Sequence, residues 1–374
     1  MKEIIKSYKF RLYPNENQKI LLNKHFGCSR FVYNYFLNHR KEEYLKGNKV
    51  NYYDQSKILT SLKKEDEFSW LREVNSQALQ HTLNTLEASY VRFFKGLAKF
   101  PRFKSKKEKN SFHVPQSIIL ENNLLSIPKF KEGIKVVIHR EIKGSILNAT
   151  ISKTPTNKYF VSLTCRELYE PKPKTGKQVG IDLGIKDLLI LSDGTRFKNN
   201  KHTKYYQASL SFHQKNLSRK KKGSNRYNKQ RIKVAKIHEK ITNSRKDNLH
   251  KITNYLVSNY DTICIEDLNV KGMIKNPKLS KSIQDASWGT LISLLKYKCE
   301  YNDKQLVTIN RFYPSSKSCS SCNYIKQDLS LDIREWTCPK CNTLHDRDLN
   351  AAKNILTQGL LILSEGSSEY TRGV

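Results

Sequence analysis

The sequence predicts a multidomain α+β protein, and changes in the hydrophobic pattern along the chain are the observations behind this prediction. Apolar residues recur at helical spacing from residue 16 to about 100, and at the spacing of short strands from 111 to 168. From residue 177 onward, strand-like runs alternate with long helical runs, as in a sheet packed by helices. A chain of 374 residues has room for two or three such domains.

The first 110 residues are predicted to be one strand followed by helices. The strand covers residues 1–15 and stops at Pro14 and Asn15, and a helix follows from Glu16 to Leu45. Short helices are expected between residues 51 and 71. A further helix is predicted from Ser76 to Phe100, with Pro101 ending it. Most aromatic residues in these helices are expected in a helical core.

The region from 111 to 168 is predicted to form short strands separated by turns, as in a small barrel or sandwich. The candidate strands are Ser117–Leu120, Leu124–Ile127, Lys135–His139, Ala149–Ser152 and Tyr159–Cys165. Residues 170–176, rich in proline and lysine, are predicted to be a linker.

The second half begins with a hairpin that carries an acid inside an apolar run, Asp182. A basic helical region is predicted from Tyr205 to Asn259, with a loop at 219–223, and it leads into the strand Thr262–Glu266. Residues 269–285 are polar and are predicted to be a mobile flap. The helix Trp288–Tyr301 and the strand Gln305–Ile309 follow.

The net charge of +34 indicates a polyanionic partner. Nucleic acid is favoured over an anionic membrane surface, because the sequence contains no long amphipathic basic helix and no apolar stretch of about 20 residues. The start of the chain lacks the apolar core of a signal peptide, so a cytoplasmic protein is expected. Its eight cysteines are then expected not to form disulfides.

Three acids are candidates for a catalytic site: Asp182 and Glu266 on strands, and Asp348 at the start of a helix. Hard cations prefer oxygen ligands, so the three together would suit two Mg²⁺ ions and phosphodiester hydrolysis. Taken singly, each has an ordinary alternative. Asp182 could accept a hydrogen bond at a strand end, Glu266 could lie on the surface, and Asp348 could cap the helix. His345 lies close to Asp348 in the chain and could assist proton transfer, but a place in a polar turn is favoured.

The strongest local signal is a set of four cysteines. Cys319 and Cys322 are followed, after fifteen residues, by Cys338 and Cys341. Two such pairs predict one tetrahedral structural Zn²⁺ ion that holds a small ribbon together, because four thiolates leave no position for water. The other four cysteines lie in apolar contexts and are expected in the core, namely Cys28, Cys165, Cys264 and Cys299.

Two basic segments are candidates for nucleic-acid contact. Phe100–Lys107 interleaves aromatic and basic residues, including Arg102, Lys104 and Lys106, and a solvated charge run is an equal alternative. The run Arg219, Lys220 and Lys221 lies in the loop of the long helical region, where the alternative is again a solvated face.

Several motifs, in this order, resemble the TnpB family, the transposon-encoded ancestors of type V CRISPR nucleases, nearly from end to end. They are Tyr8–Pro14, Pro101–Lys106, Gly180–Gly184, Ile265–Leu268, the paired cysteines and Asp346–Ile355. The resemblance implies a wedge β-barrel (1–15 and 111–170) with an inserted helical recognition domain (16–110). It also implies an RNase H-like, RuvC-type nuclease domain (177–312 and 345–374) with an inserted zinc ribbon or target-loading module (313–344).

The resemblance further implies an RNA-guided endonuclease that uses an omega RNA and cuts double-stranded DNA beside a transposon-adjacent motif. It places the nuclease triad on Asp182, Glu266 and Asp348, and chooses Asp348 over Asp346. Arg311 matches an arginine motif that would approach the scissile bond. Gln77, Gln80, Ser111 and Phe112 lie where relatives read the adjacent motif. The tail after Leu363 is short, which leaves any function of the tail in doubt.

Other expectations and alternatives complete the sequence-based hypothesis. A functional association with the TnpA transposase is expected, and a monomer is favoured over two copies on the RNA. One alternative function is an RNA-guided DNA-binding repressor that does not cut. The other is an accessory transposase protein or a strand-joining enzyme. The intact acids weigh against the repressor.

Overall fold

The computed structural model describes residues 1–107, 110–330 and 332–366. It divides into two compact units. The N-terminal unit is Glu3–Leu168, and the C-terminal unit is Tyr169–Val374 together with Met1–Lys2. No described helix has both the length and the apolar character that a membrane span needs.

The N-terminal unit begins with strand β1 (Lys2–Tyr13) and three helices: α1 (Glu16–Leu45), α2 (Tyr52–Leu62) and α3 (Ser76–Phe94). A 3₁₀ helix, Asp66–Glu73, lies between α2 and α3. The bounds of α1 agree with the prediction because its start is locally specified. The Asn15 side chain accepts a hydrogen bond from the Gln18 amide, and the Gln18 side chain accepts one from the Asn15 amide.

The predicted end of α3 at Phe100 is wrong, since the helix stops at Phe94. Gly96 adopts a φ of +70°, and the Leu97 amide donates back to the carbonyl of Arg92 at 2.9 Å. This is a glycine-based helix C-cap, which closes the helix before Pro101 is reached. The aromatic residues beyond this point are therefore not on a helix, and Phe94 and Phe100 are exposed.

One seven-stranded sheet completes the N-terminal unit, in the order β2-β6-β7-β1-β5-β4-β3. Its remaining strands are β2 (Asn110–Val114), β3 (Ile119–Glu121), β4 (Leu124–Ile127), β5 (Phe130–Val137), β6 (Gly144–Lys153) and β7 (Tyr159–Tyr169). β2 was not predicted, and β5 starts and ends earlier than the predicted strand Lys135–His139. Closure into a barrel would pair β2 with β3, and the strand order of the described residues contains no such pair.

The C-terminal unit contains a five-stranded sheet in the order β10-β9-β8-β11-β12. Its strands are β8 (Gln178–Leu183), β9 (Asp187–Leu191), β10 (Arg196–Lys198), β11 (Thr262–Glu266) and β12 (Gln305–Ile309). β8, β9 and β10 are antiparallel neighbours, and β11 runs parallel to both β8 and β12. This arrangement is the one expected for an RNase H-like domain.

Helices connect these strands and cover the sheet. They are α4 (His202–Ser218), α5 (Asn225–Asn259), α6 (Val270–Met273), α7 (Pro277–Ala286), α8 (Trp288–Tyr301) and α9 (Arg347–Ser364). α9 packs against the central strand β8. A Cβ atom at Gly180 would lie 2.1 Å from the carbonyl oxygen of Ala352, so this close approach requires glycine at that position of the strand.

The segment predicted to be a mobile flap, residues 269–285, contains the helices α6 and α7. Asn276 caps α7 by accepting a hydrogen bond from the Lys278 amide at 3.0 Å, and Pro277 occupies the first helical position. An Asn-Pro pair is thus a helix start here and not a loop. The buried Asp285 pairs with Arg245 of α5 at 2.7 Å, which anchors the end of α7.

A small hairpin of β13 (Glu335–Thr337) and β14 (Leu344–Asp346) lies between β12 and α9 in the chain. Trp336 pairs with His345 across this hairpin. The chain therefore leaves the sheet at Ile309, forms the ribbon, and returns to the sheet through α9.

Candidate active site

Asp182 and Glu266 lie side by side on adjacent strands of the five-stranded sheet. Ile265 of β11 is in register with Ile181 of β8, and the two strands are parallel, so the next residues on each strand are neighbours. Both acids are near the carboxyl ends of their strands. Asp348 lies in the first turn of α9, the helix that packs on β8.

The electrostatics of Asp182 indicate that it lies within range of the charges of Glu266 and Asp348. The pKa of Asp182 is raised from 3.8 to about 7, first by burial and then by the charges of Glu266 and Asp348. Arg347 and the Leu183 amide act in the opposite direction. A carboxyl group surrounded in this way is stabilised either by a proton or by a cation.

Glu266 has a similar environment. Burial raises its pKa, and a hydrogen bond from the Ser315 hydroxyl to Oε1 lowers it. Ser315 is itself buried, 6% exposed, and lies between β12 and the cysteine ribbon. The sequence analysis did not select this serine, because a serine beside another serine in the run 310–316 carries no signal of its own.

The structure separates the two aspartates at the start of α9. Asp346 is the helix cap, and its side chain accepts a hydrogen bond from the Leu349 amide at 2.9 Å. The capping alternative for Asp348 is therefore wrong. The Asp348 carboxylate instead lies 3.3 Å from the Arg334 guanidinium, while Asp346 pairs with Arg196 at 2.9 Å. Arg334, on the ribbon, is a second residue that the sequence analysis missed.

The four ribbon cysteines form a compact group that could hold one metal ion. Their sulfur atoms all lie within 4.8 Å of one another, with Cys319 and Cys341 3.5 Å apart and Cys322 and Cys338 3.6 Å apart. Four thiolates about 2.3 Å from one Zn²⁺ ion would be separated by roughly 3.8 Å, so the donor set fits zinc. The other four cysteines are buried in the core, as predicted.

The two cysteine pairs sit in equivalent backbone turns. Asn323 and Asn342 follow the second cysteine of each pair, have φ near +60°, and donate their amides to the carbonyls of Cys319 and Cys338 at 2.9 Å. Asparagine tolerates this left-handed conformation, which lets each turn present two sulfurs to one point.

The sequence analysis expected His345 in a polar turn, and this prediction is wrong. It is buried on β14, its Nε2 atom is 3.1 Å from Cys319 Sγ, and its ring lies 4.8 Å from that of Trp336. A ring nitrogen at this distance can donate a hydrogen bond to a thiolate, so His345 supports the cysteine centre and not proton transfer at the acids.

The three carboxylates are more widely spaced than the thiolates. Among the histidine, cysteine and acidic side chains of the described residues, the four cysteines form a group whose ligand atoms are close enough to hold one ion. The three acids do not form such a group. Two catalytic ions lie about 3.5–4 Å apart in known two-metal sites, so their ligands need not converge on one point. The acids share one end of the sheet, which is the placement that such a site needs.

The N-terminal unit brings several nucleic-acid candidates together on one cavity of about 370 Å³. The predicted residues Lys104, Ser111 and Phe112 line it, and so do residues that the sequence analysis missed, among them Ser29, Arg30, His81, Asn110 and His113. The rings of His81 and His113 stack at 3.8 Å. Donors and flat rings of this kind suit phosphates and bases.

The other nucleic-acid candidates lie elsewhere. Gln77 and Gln80, half-buried on α3, are not in the lining of that cavity, and Arg102 and Lys106 are exposed on the loop after α3. In the C-terminal unit, Arg219 and Lys221 are exposed between α4 and α5, with Lys220 half-buried. Arg311 is exposed and forms an ion pair with Asp267.

Comparison with protein families gives three matches along the chain. Residues 152–277 match the IS605 OrfB family, described as a probable transposase, and residues 288–355 match the Cas12f1-like TNB domain. Residues 1–49 match a family described as the helix-turn-helix domain of IS605 OrfB, although here they form strand β1 and the single helix α1.

Curated relatives extend over almost the whole chain. A Streptomyces pristinaespiralis protein, provisionally named an RNA-guided DNA endonuclease, is 39% identical over 365 residues, which are 96% of this chain and 90% of that protein. InsQ of Escherichia coli K12, with the same provisional name, is 32% identical over 381 residues, covering 97% of this chain and 94% of that protein.

Two further similarities are more distant, one to a curated relative and one to a solved structure. The TnpB-like protein L79 of Acanthamoeba polyphaga mimivirus is 26% identical over 95% of this chain and 74% of its own length. A structure of the Cas12f1–sgRNA–target DNA complex aligns with 94% of this chain and 99% of the solved chain, at 14% identity and a TM-score of 0.38, too low to support an argument. Identity of 39% over 96% of this chain and 90% of a relative, together with the IS605 OrfB match, shows that this chain belongs to the TnpB family of insertion-sequence proteins.

Proposed function

We propose that the protein is an RNA-guided endonuclease, encoded by an insertion sequence, that cuts double-stranded DNA beside a transposon-adjacent motif. The observation that carries this proposal is the group of three acids at one end of the five-stranded sheet. The raised pKa of Asp182, caused by burial and then by Glu266 and Asp348, supports their action as one site. The names of the Streptomyces and Escherichia relatives agree with this activity.

In this proposal Asp182, Glu266 and Asp348 hold two Mg²⁺ ions. Bound there, such ions supply an activated water and stabilise the departing 3′ oxygen. A carboxyl group has to be deprotonated to act as a ligand, and with its pKa of about 7 Asp182 is about half protonated at neutral pH without metal. The Ser315 hydroxyl donates a hydrogen bond to Glu266, and Arg334 provides a cation beside Asp348. One structural Zn²⁺ ion is assigned to Cys319, Cys322, Cys338 and Cys341.

The guide RNA and the DNA are assigned to the basic surfaces. A net charge of +34 favours long phosphate backbones, and a protein of this class leaves most sequence recognition to base pairing by its guide. We assign the seven-stranded sheet to the wedge domain and α1–α3 to the recognition domain. The cavity lined by Arg30, Lys104 and Ser111 is a candidate contact for nucleic acid.

Guided cleavage by purified protein tests the proposal. The RNA that copurifies with the protein is sequenced, its guide segment is matched to a DNA duplex carrying a randomised flank, and cleavage is followed with and without Mg²⁺. We expect cutting that needs both the guide and Mg²⁺. Asp182→Ala should abolish cutting and leave guide binding near that of the wild type.

Two outcomes would contradict the proposal. Guide-dependent DNA binding without cleavage by the wild type would indicate a repressor. Equal loss of cutting and guide binding in Asp182→Ala would mean that Asp182 is a structural residue.

A further inference from the structure

The hydroxyl of Ser315 holds the Glu266 side chain from outside the sheet. Ser315 lies 49 residues further along the chain than Glu266, is 6% exposed, and donates its hydroxyl to Oε1. A glutamate has three rotatable side-chain bonds, so a partner that binds one oxygen limits where the other can point. Ser315 therefore acts on the position of the Glu266 carboxylate.

Ser315 is in turn held by α9. The Asn354 amide donates to the carbonyls of Ser315 and Ser318 at 2.7 and 2.6 Å. Asn350, one turn earlier on the same helix face, donates to Ser318 O at 2.6 Å and accepts from the Ser320 amide at 3.0 Å. Both asparagines are at most 3% exposed, so losing these bonds would leave buried polar groups without partners.

The clamped backbone, residues 315–320, leads directly into the first cysteine turn. Cys319 lies within it, and His345, two residues before the first helical residue of α9, contacts Cys319 Sγ. The cysteine centre and the start of α9 thus hold the same short segment from two sides. A metal ion bound by the cysteines would fix Cys319 and, through this segment, Ser315.

We propose that Ser315 is a positioning residue for Glu266, and that Asn350, Asn354 and the first cysteine turn hold Ser315 in place. The ribbon then has a second role beside any contact with substrate, because it sets one ligand of the divalent-cation site. This inference rests on the proposed function of Glu266 as a metal ligand. The experiment below distinguishes failure of the positioning role of Ser315 from failure of the proposed cation site.

Direct Mn²⁺ binding tests the inference without relying on cleavage. Zinc-loaded, full-length protein is titrated with Mn²⁺ and free Mn²⁺ is followed by electron paramagnetic resonance. Ser315→Ala should weaken Mn²⁺ binding by about tenfold to a hundredfold, as loss of an outer-shell partner does in other metal sites. Ser316→Ala, a change at the half-buried neighbouring serine, should leave the affinity within twofold of the wild type.

Zinc content is measured in the same samples. One zinc per chain in Ser315→Ala, together with weaker Mn²⁺ binding, supports the positioning role. Unchanged Mn²⁺ affinity in Ser315→Ala would overturn it and show that the hydrogen bond is only structural. If Asp182→Ala binds Mn²⁺ as the wild type does, the proposed cation site itself fails.

A second pair of variants applies if Ser315→Ala does not fold. Ser315→Thr and Ser315→Val have nearly the same shape and differ in the hydroxyl group. We expect Ser315→Thr to bind Mn²⁺ at least tenfold more tightly than Ser315→Val. Equal affinities would overturn the inference.

Discussion

Asp182 and Glu266 are placed where carboxylates are unfavourable without a cation, because burial raises the pKa of both. Burial is the largest cause of the raised pKa of Asp182, and like charges add to it. Groups that work against stability in this way are common at functional sites, because the same field that disfavours a carboxylate favours a divalent cation. Single substitutions of these residues can therefore separate effects on stability from effects on activity.

Asp182→Asn should stabilise the metal-free protein at neutral and higher pH. The folded pKa of Asp182 is raised from 3.8 to about 7, so the stability that its proton provides is lost as pH rises between these values. About three pKa units correspond to at most roughly 4 kcal/mol. In Mg²⁺-free buffer the variant should melt a few degrees above the wild type at pH 8, with a smaller gap at pH 5.

Mg²⁺ provides the control for this prediction. It should raise the melting temperature of the wild type and not that of Asp182→Asn, since only the wild type retains the ligand. Identical melting temperatures at both pH values would mean that the Asp182 carboxyl is well solvated.

The two aspartates at the start of α9 form a matched pair. Asp348→Asn should abolish cleavage with little change in melting temperature, because Asp348 makes no cap. Asp346→Asn should retain cleavage, since asparagine also caps helices, and Asp346→Ala should lower the free energy of unfolding by about 1 kcal/mol. Cleavage assays and thermal unfolding of the three variants check this. Loss of cleavage in Asp346→Asn alone would reverse the assignment.

At the scale of elements, α9 connects the sheet to the ribbon. One face of it packs against β8 at Gly180, and its buried asparagines hold the backbone of the first cysteine turn. The ribbon has a small apolar core of its own, with Leu329 and Trp336 around the cysteines. A core of this size cannot hold a ribbon together alone, so a metal ion bound by the four cysteines would supply much of its stability.

Cys338→Ser should release the zinc and unfold the ribbon. Cys338 is fully buried, and serine cannot replace a thiolate in the tetrahedron. Metal analysis of the purified protein should fall from one zinc per chain to almost none. Cys299→Ser, at a buried cysteine outside the ribbon, serves as the control and should keep its zinc. Unchanged zinc in Cys338→Ser would contradict the four-thiolate centre.

The elements also show where local signals decide structure. α1 has the predicted bounds because a capping box defines its start, whereas α3 ends early because Gly96 provides a C-cap before Pro101. At 269–285 the polar composition predicted a mobile flap, and within this segment Asn276 and Pro277 start a helix. A polar composition does not exclude a helix where a cap is present, since the hydrogen bond of the cap offsets a weak average propensity.

At the scale of the whole molecule, charge dominates. A net charge of +34 over 374 residues opposes compaction and is offset when phosphates bind. The long basic pair α4 and α5 places Arg219, Lys220 and Lys221 at its connection, where their charges are accessible to a backbone.

Replacing Arg219, Lys220 and Lys221 together by alanine should weaken nucleic-acid binding to a similar extent for every sequence. Each lost phosphate contact removes about 0.9 from the slope of log affinity against log salt for duplex DNA, or about 0.7 for single strands. A titration over a range of salt concentrations should therefore give a slope less steep by about two to three units.

A charge-matched variant controls for total charge. Alanine at Lys46, Lys49 and Lys57 removes three positive charges from the N-terminal unit. Equal changes of slope in the two variants would show that total charge and not the α4–α5 connection sets the affinity.

The sequence by itself predicted the three acids and a polyanionic partner, identified the cysteine pairs, and gave the bounds of α1, β4, β11, α8 and β12. These follow from spacing and from hydrogen bonds between residues a few positions apart. It did not determine that Asp346 caps α9, that β2 joins the sheet, or that His345 contacts Cys319.

Only the tertiary structure decided the connections between the ribbon and the acids. Ser315 reaches Glu266 across 49 residues, and Asn354 reaches Ser315 across 39. Such contacts depend on how α9, β11 and the first cysteine turn pack. Packing brings together residues that are distant in the sequence, and no local sequence pattern predicts which of them will meet. The residue types of the candidate site can thus be recognised from local sequence patterns, while the positions of their side chains relative to one another depend on the fold.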